Sequence, residues 1–386
     1  MNKLLEQINT TPRTTIKLAD ATSRIGDGLH GTPIYDDSGE YYFINGNNLD
    51  NGYISIKKDT KKINESEFIK HKKDLNEHTL LLSINGTIGN LARYRGEKCI
   101  LGKSASYINI KDGFNSDYFY YVLLDDRFKK HITNNASGST IKNVSLEQLR
   151  EYEIDIPDLP TQKKIAEILS AYDEKIENNN LIIKKLEATA QTLFDEWFVN
   201  FKFPGHEKVK FVDSEMGEIP DGWNIKNVLD VIERISPGKK YDNKSASPSG
   251  SVPILDQGAS GFIGYHDDEP GVIASIDNPV VVFTNHTCYY RILTEPFSCI
   301  QNVLPYIGKN GYDTFFVYFL TKEKIKMSEY KGHWPEFEQQ VFVIPTPEIA
   351  SRFSKVAKVF IEKIVTIEKE NVFLKSQRDR LLAKLI

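Results

Sequence analysis

Residues 156–198 read IPDLPTQKKIAEILSAYDEKIENNNLIIKKLEATAQTLFDEWF, and residues 344–386 read IPTPEIASRFSKVAKVFIEKIVTIEKENVFLKSQRDRLLAKLI. A shift of 188 positions superposes them. Ile156-Pro157 falls on Ile344-Pro345, Glu174-Lys175-Ile176 on Glu362-Lys363-Ile364, Leu186 on Leu374 and Leu193 on Leu381. Steps of four and three from Ile165 pass through Leu169, Tyr172, Ile176, Asn179, Ile183, Leu186, Ala190, Leu193 and Trp197. The second copy runs Phe353, Ala357, Phe360, Ile364, Ile367, Asn371, Leu374, Arg378, Leu381, Leu385. Sustained 3-4 spacing is the seam of a coiled coil, and two copies of equal length predict that the helices pair with each other. Pro160 and Pro347 suit a first turn, and Thr346 is a good cap before Pro347. Each seam carries one Asn, Asn179 and Asn371, a residue that costs stability and fixes register.

The segments ahead of the helices also correspond. IKLADATSRI from Ile16 matches IKNVLDVIERI from Ile225 with one insertion, and DYFYYVLL from Asp117 matches DTFFVYFL from Asp313. The chain therefore reads globule, helix, globule, helix. Short β-branched or aromatic runs separated by Gly/Asn turns, such as HTLLLSINGTIGNLARY (78–94) and NPVVVFTNHTCYYRIL (278–293), predict strands. Each globule is expected to hold one apolar helix, near 117–132 and 313–327, before its exit strand. The fold class expected is α+β: two mixed β-rich globules separated by two long helices forming an antiparallel coiled coil, a pseudo-two-fold repeat. The helices are alike and the loops are not, and loops on a rigid scaffold are where recognition usually lives.

At 386 residues, 40% hydrophobic and 26% charged, the chain has the composition of a folded protein too long for one core. No apolar run approaches the length of a membrane span or a signal sequence, which predicts a cytoplasmic chain. Three cysteines, Cys99, Cys288 and Cys299, have no metal or redox spacing. The net charge of −4 (49 cationic against 53 acidic residues) is not that of a protein that coats nucleic acid, so any DNA contact must come from local patches.

Motifs for catalysis fail on inspection. Asn278-Pro279 is followed by Val280 and Val281, not by the Pro-Tyr of a base-flipping methyltransferase tetrad. No glycine-rich S-adenosylmethionine loop is visible. Gly238-Lys239 lacks the upstream glycine of a phosphate loop, since position 233 is Glu233. The eight histidines show no ligand spacing, no GxSxG elbow occurs, and Pro220-Asp221 has no Glu-x-Lys after it. Neither a catalytic site nor a metal is expected.

On these residues the chain resembles the specificity (S) subunit of type I restriction–modification systems, over nearly its whole length. The central helix followed by SEMGEIPDGW (214–223) carries most of the likeness. GDGLHGTPIY (26–35), LLLSINGTIGN (80–90) and ASGSTIKNVS (136–145) add to it. The second half departs from the pattern: SPGKKYDN (236–243) stands where the first has GDGLHGTP, GHWPEFEQ (332–339) stands where it has GSTIKNVS, and the first half lacks a counterpart of Trp223.

The resemblance implies a division into a first target recognition domain (1–157), a central spacer helix (158–203), a second recognition domain (204–345) and a C-terminal spacer helix (346–386). It implies that each recognition domain reads one half of a split DNA target. Two methyltransferase (M) subunits carrying S-adenosylmethionine would dock on the chain, and motor-nuclease (R) subunits would join the full complex. This chain would need no cofactor and perform no catalysis. The seam from Ile165 to Trp197 covers 32 residue steps. That is roughly 48 Å of helix, or about 14 base pairs of DNA, a rod long enough to act as a spacer. A stand-alone DNA-binding regulator, a fused nuclease–methyltransferase and a coiled-coil assembly scaffold are the alternatives.

Direct readout needs Arg/Lys against guanine, Asn/Gln against adenine, and hydroxyls or lysines on phosphate. In the first globule the candidates are His30, Gly31 and Thr32; Asn45, Asn47 and Asn48; Asn85, Gly86 and Thr87; Ser137, Ser139, Thr140 and Lys142; and the basic cluster Lys57, Lys58, Lys61 and Lys62. In the second they are Lys239, Lys240, Tyr241 and Lys244; Gln257 and Ser260; Asn285, His286 and Thr287; and Lys331, His333 and Trp334. Asn-Gly pairs are also common turns, lysine runs common solvated faces, and His333 and Trp334 can equally close a local core. Phe194, Trp197, Phe198 and Phe201 are expected to pack at the helix–globule junction.

Overall fold

The computed structural model of the chain describes residues 2–136, 142–258, 261–329 and 331–386. They form two compact units, Met1–Asn178 with Asn371–Ile386, and Asn179–Glu370. Each unit holds one globule and half of each of two long helices, the central helix Leu159–Phe198 and the C-terminal helix Pro347–Leu385. Pro160 and Pro347 fall in their first turns, where a missing amide hydrogen costs nothing. Among the described residues no helix is long and apolar enough to cross a membrane.

In the first unit the chain opens on the helix Asn2–Thr10, and then the strand Thr14–Lys17 pairs antiparallel with the exit strand Glu153–Ile156 in the register Ile16↔Ile154. Asp20 accepts the Lys17 amide at 2.9 Å and turns the chain into a four-stranded antiparallel sheet. Its order is Thr22–Asp27, Ala105–Ile110, Thr79–Ser83, Leu91–Arg93. A smaller sheet places Tyr41–Ile44 between Lys62–Ile63 and Cys99–Leu101, the last pairing being parallel.

The single helix expected over 117–132 is two, Ser116–Leu124 and Asp126–Asn134. Asp125 breaks it, with extended backbone (φ −62°, ψ 144°), and its carboxylate takes the Arg127 amide at 2.8 Å as the cap of the second helix.

The second unit repeats this plan. Asn224–Asn227 pairs with Val341–Ile344, and Asp230 accepts the Asn227 amide at 3.1 Å. A four-stranded sheet follows in the order Ile232–Arg234, Val303–Gly308, Val280–Thr284, Tyr290–Leu293. The Lys309 amide bonds to the Val231 carbonyl at 2.9 Å, as the Lys111 amide bonds to Ala21 at 2.9 Å in the first unit. The apolar helix Thr314–Thr321 is buried throughout and ends earlier than the expected 327, because Glu323 takes a left-handed backbone (φ 59°). A hairpin, Phe211–Ser214 with Gly217–Pro220, replaces the opening helix of the first unit and closes at Gly217 (φ 93°). It delivers Trp223 onto Phe198, Phe201 and Phe203, with ring centroids 5.9, 5.3 and 5.2 Å away. The four aromatics of the helix end do pack at this junction.

Within each unit the helix halves run antiparallel. In the first, Ile165, Ala166 and Leu169 share a core with Leu382 and Leu385, and Asp173 meets Arg378 at 2.5 Å. Arg13 donates to the carbonyls of Leu385 (2.6 Å) and Ile386 (2.8 Å), satisfying the end of the C-terminal helix. In the second, the buried Asn179 donates to Glu370 at 2.9 Å, and Phe194 and Trp197 pack on Phe353 at 5.5 and 6.0 Å. Every rung of the two ladders is buried or half-buried, while the positions between are mostly exposed. In the second unit the aromatic pairs add about 1 kcal/mol each beyond the area they bury.

Candidate nucleic-acid interface

In the first unit three separate candidate segments converge on one cleft. Gly28 lies so close to the 101–102 backbone that a Cβ would sit 2.2 Å from the Leu101 carbonyl oxygen, and the Leu29 amide bonds to that carbonyl at 2.7 Å. The next residue, His30, is held at the surface with its ring nitrogen 2.6 Å from Asp27. At the end of Thr79–Ser83 the Ser83 hydroxyl accepts the Asn90 amide at 2.8 Å and pinches the loop between them. Gly86 and Gly89 take the positive φ (76° and 92°) that this tight loop needs. The Gly86 amide reaches the Lys142 carbonyl at 3.3 Å, and Val144 returns a bond to Ile84 at 2.9 Å. The result is a cleft of about 260 Å³ lined by Asp27, His30, Asn85, Lys103, Asn143 and Ser145 among others.

The 45–48 turn adjoins this cleft. Ser104 donates to the Asn45 side chain and accepts the Gly46 amide, both at 2.9 Å, while its carbonyl takes the Ile84 amide. Asn47 is exposed, and its carbonyl accepts from Lys57 at 2.6 Å. Gly31, Thr32, Lys57, Lys58, Lys61, Gly86, Thr87 and Lys142 are exposed, and Lys62 lies half-buried near the Tyr42 ring. Ser137, Ser139, Thr140 and, in the second globule, Ser260 lie outside the described residues.

The second unit gathers its candidates by the same latch. Thr284 accepts the Tyr289 amide at 2.8 Å, as Ser83 accepts Asn90. Gln257 accepts the His286 amide at 3.0 Å, and the Thr287 hydroxyl donates to the Gln257 carbonyl. Asn285 accepts the amides of His333 and Trp334, each at 2.8 Å. Lys331 bridges Glu329 and Glu336 at 2.8 Å each, which holds its pKa above the ordinary lysine value. The bonds from His333 and then Lys331 hold Glu336 below the usual carboxylate range. Lys239 pairs with Asp268 at 2.8 Å, and Lys240 and Lys244 are exposed.

Four candidates turn inward instead of out. His333 is 0% exposed, bonded to Glu336 at 2.8 Å and to the Glu329 carbonyl at 3.1 Å. Trp334 stacks on Phe337 at 4.8 Å and donates to Glu338. Tyr241 is buried flat against His266 at 4.1 Å and bonds to Asp268 at 3.0 Å. Asn48 is buried, its amide pegging the Ser55 carbonyl and Thr60 hydroxyl at 3.0 Å each. These side chains serve their own loops and have no face for a base.

The sequence reading missed Lys103, Asn143 and Ser145, which reach the cleft only because the parallel pairing and the 84–144 bonds fold their segments over it. The signals in the sequence were the Gly-Lys pair at 102–103 and the segment ASGSTIKNVS (136–145), which holds Asn143 and Ser145. Among the described residues no cluster of His, Cys, Asp or Glu can hold a metal ion.

Residues 32–188 match the family described as type I restriction modification DNA specificity domain. Over 333 residues the chain is 26% identical to the type I restriction enzyme MjaIX specificity subunit of Methanocaldococcus jannaschii, across 80% of this chain and 76% of that one. A putative MjaX specificity subunit of the same organism is 26% identical over 329 residues, 78% of this chain and 74% of that one. The crystal structure of the type I restriction–modification S subunit from M. genitalium superposes with a TM-score of 0.56, covering 98% of this chain and 97% of that one at 17% identity. The fold is shared with that structure.

Proposed function

We propose that the chain is a type I restriction–modification specificity subunit in which each globule reads one half of a bipartite, asymmetric DNA target. The observation that carries this reading is the Ser83/Thr284 latch. Two sheets of the same topology end in the same hydroxyl-to-amide bond, yet the loops that follow share almost no side chains. Like frames with unlike loops fit two readers of unlike sequence. The recognition domains are residues 1–157 and 204–345, and the helices 158–203 and 346–386 set the spacing between half-sites.

Two methyltransferase subunits dock on the helices and supply S-adenosylmethionine and the chemistry; motor-nuclease subunits complete the complex in the cytoplasm, and this chain contributes sequence choice without catalysis. Large apolar side chains left bare on the helices, Val356 and Val359 in the second unit and Val372 and Phe373 in the first, support a partner on those faces. Phe373 is 61% and Val372 72% exposed.

The test is assembly. Expressed with its methyltransferase subunit, the chain co-purifies in a complex that retains DNA bearing the split target, and the chain alone retains that DNA far less well. A chain that binds the target equally tightly alone, or a complex indifferent to its sequence, contradicts the proposal.

A further inference from the structure

A second cleft, about 480 Å³, adjoins the first in the same globule, and Asp27 lines both. Three cationic side chains from distant segments meet around it. Arg24 comes from the strand Thr22–Asp27, Lys73 from the segment after the helix Glu65–His71, and Arg150 from the end of the short helix Leu146–Arg150. Arg150 is fixed in place by donating to the Ile25 carbonyl at 3.1 Å. Asp27, the acid lining the cleft, is already engaged by His30 at 2.6 Å. The floor is Tyr107, only 2% exposed, whose hydroxyl has no protein partner among the described residues. Gly26 keeps the floor open, since a Cβ there would fall 2.6 Å from that hydroxyl. A pocket with three cations, one spare hydroxyl donor and an acid already hydrogen-bonded to His30 suits an anion with several acceptor oxygens.

We propose that this cleft holds one backbone phosphate of the DNA flanking the bases that the His30/Asn85 cleft meets. The inference rests on the reading of this globule as a DNA reader. The strand Thr22–Asp27 and the helix Leu146–Arg150 each contribute to both clefts, so a phosphate gripped at Arg24, Lys73 and Arg150 sets the register of the base-reading loops. The second globule lacks the arrangement. Arg234, which falls on Arg24 in the repeat, lies instead over the Trp334 ring at 4.9 Å.

The test uses the full chain assembled with its methyltransferase subunits, and double-stranded DNA carrying either the methylated target or a scrambled one. R24Q/K73Q should weaken both DNAs alike and lower the slope of log affinity against log salt by about 1 for the phosphate lost, leaving the preference for the target unchanged. R150K, which keeps the charge, should retain the wild-type slope. An uncharged methylphosphonate at the gripped position should weaken wild type and leave R24Q/K73Q unaffected. If wild type prefers its target but R24Q/K73Q keeps the wild-type slope, the reader stands and the phosphate site falls. If wild type shows no preference, both fall.

Discussion

Arg378 meets Asp173 across the helix pair of the first unit, Nη1 to Oδ1 at 2.5 Å, while its other nitrogen takes Asp379 at 2.7 Å. Tyr121 donates its hydroxyl to the second Asp173 oxygen at 2.6 Å, so the seam here is a closed polar cluster in place of an apolar rung. Burial opposes the Arg378 charge, but Asp173 and Asp379 together outweigh it and hold the guanidinium pKa above its ordinary value. Arg378→Leu should cost about 2 kcal/mol, because Asp173 is left half-buried without its cation. Replacing Arg378, Asp173 and Tyr121 together by Leu, Leu and Phe should cost less than that single change. Denaturant unfolding of the complex checks both; a triple variant weaker than the single one refutes the cluster.

Burial separates the two kinds of candidate in the recognition loops. Trp334→Ala should lose about 3–5 kcal/mol, as removal of a packed aromatic does. His30→Ala and Asn85→Ala should stay within about 0.5 kcal/mol of wild type and yet change the DNA preference. Thermal unfolding alongside binding to target and scrambled DNA distinguishes them. Unchanged discrimination in both surface variants would remove that cleft from the interface.

Acid should loosen the turn at His333 and Trp334 before the globule. The groups around it are Glu329, Lys331, His333 and Glu336, with Arg234 above Trp334. Glu329 and Glu336 lie below the ordinary value of 4.5, so their contribution is complete above that pH and is lost as pH falls through the lower folded values. Lys331 lies above 10.5, so its share is complete below that pH and lost only as pH rises past the folded value. Protection of the His333 and Trp334 amides from hydrogen exchange, corrected for intrinsic rates, should therefore be flat between about pH 5 and 10 and fall below about pH 4. Protection that stays unchanged below about pH 4 would refute the role of Glu329 and Glu336.

The helix pair was legible because a coiled coil writes its contacts into the sequence every third and fourth residue, and the 188-residue offset shows it twice. The site was legible only in part. A polar residue type does not declare its burial, so Tyr241 and Asn48 read as surface contacts, and His333 and Trp334 were open to either reading, when local hydrogen bonds and ring stacking draw all four inside. Arg24 was passed over for the converse reason. A single arginine in a short strand looks like a solvated face, and only the packing of Leu146–Arg150 against that strand brings Arg150 to it. Ser83 and Thr284 gave no signal because a latch hydroxyl and an ordinary strand hydroxyl look the same in sequence.

The helices as a ruler make a length prediction. Removing 176–182 and 367–373 together takes seven facing residues from each rod and preserves the heptad phase. The rods shorten by about 10 Å, and the unread spacer in the methylated target should shrink by about 3 base pairs. An unchanged spacer would mean that the helices do not set it.

Methylome sequencing of a host carrying this chain and its methyltransferase subunit, against the same host in which residues 1–157 have been replaced by those of another specificity subunit, tests the central claim most directly. Two dissimilar readers on one frame predict a split motif in which only one half changes and the other half and the spacer persist. A motif that changes in both halves, or one that does not change at all, would contradict it.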